Sequence, residues 1–312
     1  MSMASRPPMR LVGGNAHPAL TRELGRELDA SLLPVDIGAF ADGETRIHIE
    51  GEIQGAAVVI VQPTCPPVNE HLLVLALLAD AVRAAGAVDV TAVVPYFGYA
   101  RQEQRAHSGD PRSAQVASRL LGCVGIDRLV TLDLHAPALE SALPMPMTLL
   151  YAEDLFLPRI ESWGLRNPVV VSPDAGGMKR AQRFAAALSA PIAVIAKQRF
   201  GTDETRALQV LGDVNGRTCL LVDDMASTGR TLIGAAEVLR KAGSGEIHAV
   251  VTHAVMAPGA EERLAAAKFA HFLTTDSIPV APKPWLEIVS IAPMLARTVR
   301  VLVGRHDMQR RT

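Results

Sequence analysis

Charge of one sign is what this sequence most lacks: 31 lysines and arginines stand against 32 aspartates and glutamates, a formal net charge of −1. A chain built to hold nucleic acid or an anionic membrane surface carries a basic surplus, so neither is expected as a partner. The basic tail from Arg305 to Arg311 is short and reads as a solvated end. Cysteine is scarce as well. Cys65, Cys123 and Cys219 sit in separate apolar contexts without metal-ligand spacing, which suits buried thiols in a reducing compartment. Long apolar runs are missing. The longest candidate, Leu72 to Ala79, stops before Asp80 and Arg83 and is too short to span a bilayer. Arg6-Pro7-Pro8 interrupts any secretory core near the first residues. Together these absences lead to the expectation of a soluble, cytoplasmic protein.

What is present suffices for full cores. Hydrophobic residues make up 49% and charged residues 20% of 312, which excludes a disordered chain and, with the length, suggests about two domains. Val58-Val59-Ile60-Val61 is a β-branched run suited to a buried parallel strand. Asn69 to Ala85 has helical apolar spacing, and Asp89 to Val94 reads as strand again. The plan returns later as strand Leu220 to Val222, a helix after Thr228, and strand Glu246 to Val251. The echo reaches single residues: the stretch from Ala81 to Val94 lines up without gaps on Val238 to Val251. In each copy a helix should stop at a glycine, Gly86 or Gly243, where a left-handed cap is easiest. Two halves of similar α/β architecture follow, with a boundary near Pro144 to Leu150.

The stretch from Leu220 to Thr231 carries the most chemistry. An apolar strand ends in Asp223 and Asp224, a short loop of small and hydroxylated residues follows, and a helix begins. Free backbone N–H groups and the helix dipole make such a loop an anion site. Ser227, Thr228 and Thr231 add hydroxyl donors, and Gly229 gives the turn its freedom. The two carboxylates would repel a bare polyphosphate but can accept hydrogen bonds from sugar hydroxyls. A diol on the acids and a phosphate in the loop describe a pentose 5-phosphate. A helix cap beside solvated acids is the plainer alternative, since paired acids are common at strand ends of open α/β sheets.

This segment resembles the ribose-phosphate loop of type I phosphoribosyltransferases and of the ribose-phosphate diphosphokinase (PRPP synthetase) family. Further stretches, in matching order, point to the second: Phe40-Ala41-Asp42-Gly43-Glu44, the run from Pro95 to Gln102, Thr131-Leu132-Asp133-Leu134-His135, and Ser172 to Gly177. The resemblance covers about residues 10 to 305. It implies an α/β chain of two similar phosphoribosyltransferase-like domains, each a mostly parallel sheet flanked by helices, at 8–148 and 149–304. It also implies diphosphoryl transfer from Mg-ATP to the anomeric hydroxyl of ribose 5-phosphate, giving PRPP and AMP. Strand ends from both halves are then expected to line a shared cleft.

The resemblance assigns roles residue by residue. Lys197 and Arg199 would meet the transferring group from a loop running to about Leu211; strand alternation projects both to one side. Arg101 and Gln102 would hold ATP, and Arg suits bidentate phosphate contacts. Phe40, Asp42 and Glu44 would meet adenine, with that loop reaching a neighbouring subunit, which implies a homo-oligomer. Asp223, Asp224, Ser227, Thr228, Gly229 and Thr231 would bind ribose 5-phosphate, and His135 and Asp174 would serve Mg2+. Magnesium favours oxygen ligands, so Asp174 is the better direct ligand on chemistry alone.

Some positions depart from the family pattern. Ser227 replaces a third acid, and Arg230 stands where glycine is usual, as a phosphate anchor or a source of loop strain. Gln104 and His107 replace arginines, and Glu52 and Gln54 replace a serine and an arginine of the allosteric site, so ADP and phosphate control is expected to weaken. A catalytically silent homologue that assembles with active subunits is the alternative. Such a protein should have lost Lys197, Arg199, His135 or the loop acids, and all are present. A phosphoribosyltransferase that consumes PRPP is disfavoured because it needs only one such domain.

Overall fold

The structure, a computed structural model, describes residues 7–105, 107–135, 139–140, 143–199 and 206–309. It divides into two units. The first runs to Leu150 and takes up Ser277–Pro279 and the segment beginning at Ser290; the second comprises Tyr151–Asp276 and Val280–Val289.

In the first unit β1 (Met9–Gly13), β2 (Ser31–Leu33), β5 (Ala57–Val61), β6 (Asp89–Val93), β7 (Arg128–Leu132) and β8 (Met147–Leu150) form one sheet in the order β2-β1-β5-β6-β7-β8. All its pairings are parallel. Every residue of β5 and β6 is buried, as a parallel strand covered on both faces requires. Helices α1 (Pro18–Leu28), α2 (Val68–Ala84) and α3 (Ser113–Cys123) connect the strands. Strands β3 (Val35–Ala39) and β4 (Thr45–Ile49) form a separate antiparallel hairpin. Cys65 is buried, which raises its thiol to about 11. Cys123 departs from expectation: as the last residue of α3 it is exposed.

The second unit repeats the design. Its strands are β9 (Pro168–Ser172), β10 (Ile192–Arg199), β11 (Arg206–Leu211), β12 (Thr218–Met225), β13 (Ile247–His253), β14 (Phe272–Thr275) and β15 (Glu287–Val289), in the order β11-β10-β9-β12-β13-β14-β15. Only β11 runs antiparallel to its neighbour. Helices α4 (Glu153–Ser162), α5 (Met178–Leu188), α6 (Arg230–Lys241) and α7 (Ala260–Ala266) complete it. Trp163, His248 and His271 stack with ring centroids 4.6 to 5.4 Å apart.

The duplication extends to the hydrogen bonds. Gly86 follows α2 with φ +89°, and Gly243 follows α6 with φ +80°. Gly55 N donates to Gly86 O at 2.9 Å, and Gly216 N donates to Gly243 O at 2.8 Å. Ala87 N donates to Val82 O at 3.0 Å; Ser244 N donates to Leu239 O at 3.1 Å. A Cβ on Gly86 would stand 2.2 Å from Gln54 Oε1, and one on Gly243 2.5 Å from Asn215 Oδ1. Both places thus favour glycine through the backbone angle, and a side chain at either would also have to displace the end of a flexible amide.

One boundary differs from the sequence expectation. The final helix α8 (Ala292–Gln309), placed with the second half on order along the chain, belongs to the first unit. Ser290 Oγ donates to Glu23 Oε1 at 2.8 Å, and an Arg300 N–H donates to the Glu27 carbonyl. Burial of Leu295, Ala296 and Val299 supplies the reason: this apolar face is covered in the folded chain.

Candidate active site

The acids and the phosphate-type loop lie in the second unit. Strand β12 runs through Asp223 and Asp224 to Met225, because its ladder with β13 continues to the pair Met225 and His253. Asp224 is buried and Asp223 half-buried. Asp224 N donates to Asp223 Oδ1 at 2.9 Å. Arg180 of α5 stands against both, its Nη1 3.5 Å from an oxygen of each carboxylate. Burial drives the Asp223 carboxyl well above the usual carboxylate range; the Asp224 charge pushes the same way, and Arg180 opposes.

The loop after β12 is pinned from behind. Ala226 N donates to His253 O at 2.9 Å, Met256 N to Ala226 O at 3.0 Å, and Ala257 N to Ser227 O at 3.0 Å. Arg263 donates from Nη2 to the Thr228 carbonyl at 3.1 Å. Gly229 caps α6 in the left-handed region, φ +75°. Gly229 itself offers no side-chain cap; the Arg230 N–H donates to Thr228 Oγ1 at 3.4 Å, and the other first-turn N–H groups of α6 lack intrahelical partners. Thr228 and Thr231 are exposed, and Ser227 is half-buried. Arg230 is exposed and is the first helical residue, so the positive φ falls on Gly229 and not on Arg230. Of the two readings of Arg230, anchor or strain, the backbone angle removes the strain.

Asp174 lies past the end of β9, between β10 and β12 in the sheet. Its Oδ1 accepts Gly177 N at 3.0 Å, while Ser172 Oγ donates to its carbonyl at 2.6 Å. A Cβ on Gly177 would lie 2.6 Å from Ser172 Oγ, so glycine keeps this turn closed. Lys197 and Arg199 lie at the end of β10, two residues apart. They are not in a loop. Lys197 pairs with Leu208 and Arg199 with Arg206 in the β10–β11 ladder. The alternation Leu208-Gln209-Val210 is a strand signal that the polar stretch before it obscured. Gly201, Thr202, Asp203 and Glu204, read as hinge residues, lie outside the described residues.

In the first unit the predicted residues gather at the ends of adjacent strands β6 and β7. Gly98 N donates to Thr64 Oγ1 at 2.7 Å, and a Cβ there would stand 2.6 Å from the Thr64 carbonyl. Tyr99 follows with φ +66°, a conformation costing about 1–3 kcal/mol for a non-glycine residue. Its hydroxyl bonds Asn69 Oδ1. Arg101 and Gln102 then emerge exposed, with Gln102 O accepting Ala114 N at 3.3 Å. Beyond β7, Asp133 is buried at φ +37° and its N–H donates to Leu150 O at 2.9 Å. His135 is exposed two residues on. Phe40, Asp42 and Glu44 form the tip of the β3–β4 hairpin, which is a sheet of its own. Phe40 N donates to Glu44 O at 2.8 Å, and Phe40 is 54% exposed, unusual for so large an apolar ring.

The donor chemistry suits magnesium. Among the described residues no three His, Cys, Asp or Glu side chains cluster as a metal cage. Magnesium is typically held by one or two carboxylates, waters and substrate phosphates, and Asp174 offers such a carboxylate. Among the same residues no helix is long and apolar enough to cross a membrane.

Arg180 and Arg263 escaped the sequence reading. Arg180 was visible only as part of a Lys179-Arg180 pair at a helix start; its importance depends on β12 lying next to β9.

Parallel sheets flanked by helices, with an acid pair and a loop at a helix start, fit the phosphoribosyltransferase class. Residues 148–278 match the phosphoribosyl transferase domain, and residues 9–125 match the N-terminal domain of ribose phosphate pyrophosphokinase. The chain belongs to the ribose-phosphate pyrophosphokinase family. It is 35% identical over 292 residues to the ribose-phosphate pyrophosphokinase of Helicobacter hepaticus, covering 93% of this chain and 94% of that one. It is 39% identical over 300 residues to that of Vibrio parahaemolyticus, covering 94% and 96%. Among solved structures, phosphoribosylpyrophosphate synthetase from Mycobacterium smegmatis superposes with a TM-score of 0.91 at 32% identity, over 96% of this chain and 99% of that one.

Proposed function

We propose that this chain makes PRPP, moving the β,γ-diphosphoryl group of ATP onto the C1 hydroxyl of ribose 5-phosphate and releasing AMP. The observation that carries this reading is the Asp223–Asp224 pair, half-buried and buried, just before a pinned, glycine-capped loop at the start of α6. The acids accept the ribose hydroxyls. The loop N–H groups with Ser227, Thr228, Gly229 and Thr231 take the 5-phosphate. The named relatives support the same chemistry.

Attack falls on the β-phosphorus, so negative charge grows on the bridging oxygen to AMP and on the β-oxygens. Such transfers depend mainly on positioning and electrostatic stabilisation. Lys197 and Arg199, at the end of β10, supply the cations. Arg101 and Gln102 grip the nucleotide, and Phe40, Asp42 and Glu44 recognise adenine, Phe40 by stacking. Asp174 and His135 would hold Mg2+, which when bound neutralises phosphate charge. A homo-oligomer in which the β3–β4 tip serves a neighbouring subunit accounts for the exposed Phe40.

The test mixes the purified protein with ATP, magnesium and ribose 5-phosphate and follows AMP. AMP that forms only when the sugar phosphate is present supports the reading. No AMP, together with association with an active homologue, would show the silent partner instead.

A further inference from the structure

We propose that Arg180 is a positioning residue that fixes the carboxylates of Asp223 and Asp224 as a paired acceptor for the two sugar hydroxyls. The inference rests on the reading of this loop as the ribose 5-phosphate site. Three observations carry it. The guanidinium Nη1 is equidistant, 3.5 Å, from one oxygen of each acid. The three side chains are only 13%, 15% and 6% exposed, so water screens them little. Arg180 Nε is buried with no hydrogen-bond partner among the described residues, although a buried donor is normally satisfied. A side chain held this way is positioned by its ionic contacts rather than by a saturated local network.

The chemistry follows from the inventory of donors and acceptors. A sugar diol donates two hydrogens and needs two acceptors at fixed spacing; an ionised carboxylate is acceptor-only, whereas a protonated one is also a donor. Two adjacent buried acids resist ionising together. The charged groups facing Asp223 are Asp224 on its own strand, which opposes ionisation, and Arg180 on α5, which favours it together with the Asp224 backbone N–H.

The test compares R180M and R180K with the parent protein in steady-state turnover from pH 6 to 9. R180M is expected to raise KM for ribose 5-phosphate about tenfold or more while leaving KM for ATP within roughly twofold. Its acid limb in kcat/KM for the sugar phosphate should move to higher pH, because the acids must now ionise without a cation. R180K keeps a charge without the planar fork and should recover part of the KM and most of the pH profile. An active parent with R180M showing the same sugar-phosphate KM and the same acid limb overturns the inference alone. If R180M does not fold, R180K decides: an altered KM for the sugar phosphate supports the proposal, and parental values overturn it. A parent protein that forms no AMP in response to ribose 5-phosphate overturns the site reading, and this inference with it.

Discussion

Gly229 and Leu264 meet at the base of the loop that opens α6: a Cβ on Gly229 would stand 2.9 Å from Leu264 Cγ. The same residue has φ +75°. G229A must therefore pay for a left-handed backbone, about 1–2 kcal/mol, and for displacing a buried leucine. A lower Tm and a raised KM for ribose 5-phosphate are expected. Adding Leu264→Ala should relieve the steric part of the KM defect but not the backbone part; a G229A protein with parental Tm would contradict this account.

Arg230 is exposed and begins the helix with ordinary backbone angles. Returning it to glycine should then relieve nothing. R230G is expected to lower stability by up to about 1 kcal/mol, the usual helix penalty of glycine, seen as a slightly lower Tm. A clear rise in Tm would restore the idea of strain.

Asp223 sets function against stability. Burial and Asp224 raise its carboxyl, so the folded state holds this proton more tightly than the unfolded one. Its penalty is absent below the ordinary carboxylate range and grows as pH rises toward the folded value. D223N removes the penalty and should melt higher than the parent at pH 7, the gap narrowing toward pH 4. It should also lose roughly 10- to 100-fold in kcat/KM for the sugar phosphate. Calorimetry across pH, paired with kinetics, checks both halves.

His248 is buried within the Trp163 and His271 stack, and burial lowers its imidazole from 6.5 to about 4. The nearby His271 pushes the same way, against Glu246 and Glu287. The unfolded chain then binds the proton more readily, so stability falls as pH drops from 6.5 toward 4 and levels off below. The full loss is of the order of 3 kcal/mol. H248F should flatten the dependence of Tm on pH over that window. An unchanged slope would show that other groups govern acid sensitivity.

The local grammar of the chain was legible where chemistry is short-range. The helix at Asn69 to Ala85 is observed as Val68–Ala84, and the stops at Gly86 and Gly243 fall where backbone freedom is needed. The acid pair and its loop were legible for the same reason: strand, turn and helix are contiguous. Other features depend on neighbours distant in sequence. Strand β12 extends past Val222 only because β13 continues beside it. Arg180 reaches the acids across 43 residues of chain. The β10–β11 hairpin hid behind polar residues whose composition resembles a hinge.

Helix α8 has a consequence for the order of synthesis. Helix α1 precedes α8 by the whole second unit in the chain, yet Ser290 and Arg300 reach back to its Glu23 and Glu27. During translation that part of α1 waits, wet and available to chaperones or neighbouring nascent chains, while the intervening unit is made. A helix made after the second unit thus completes the first.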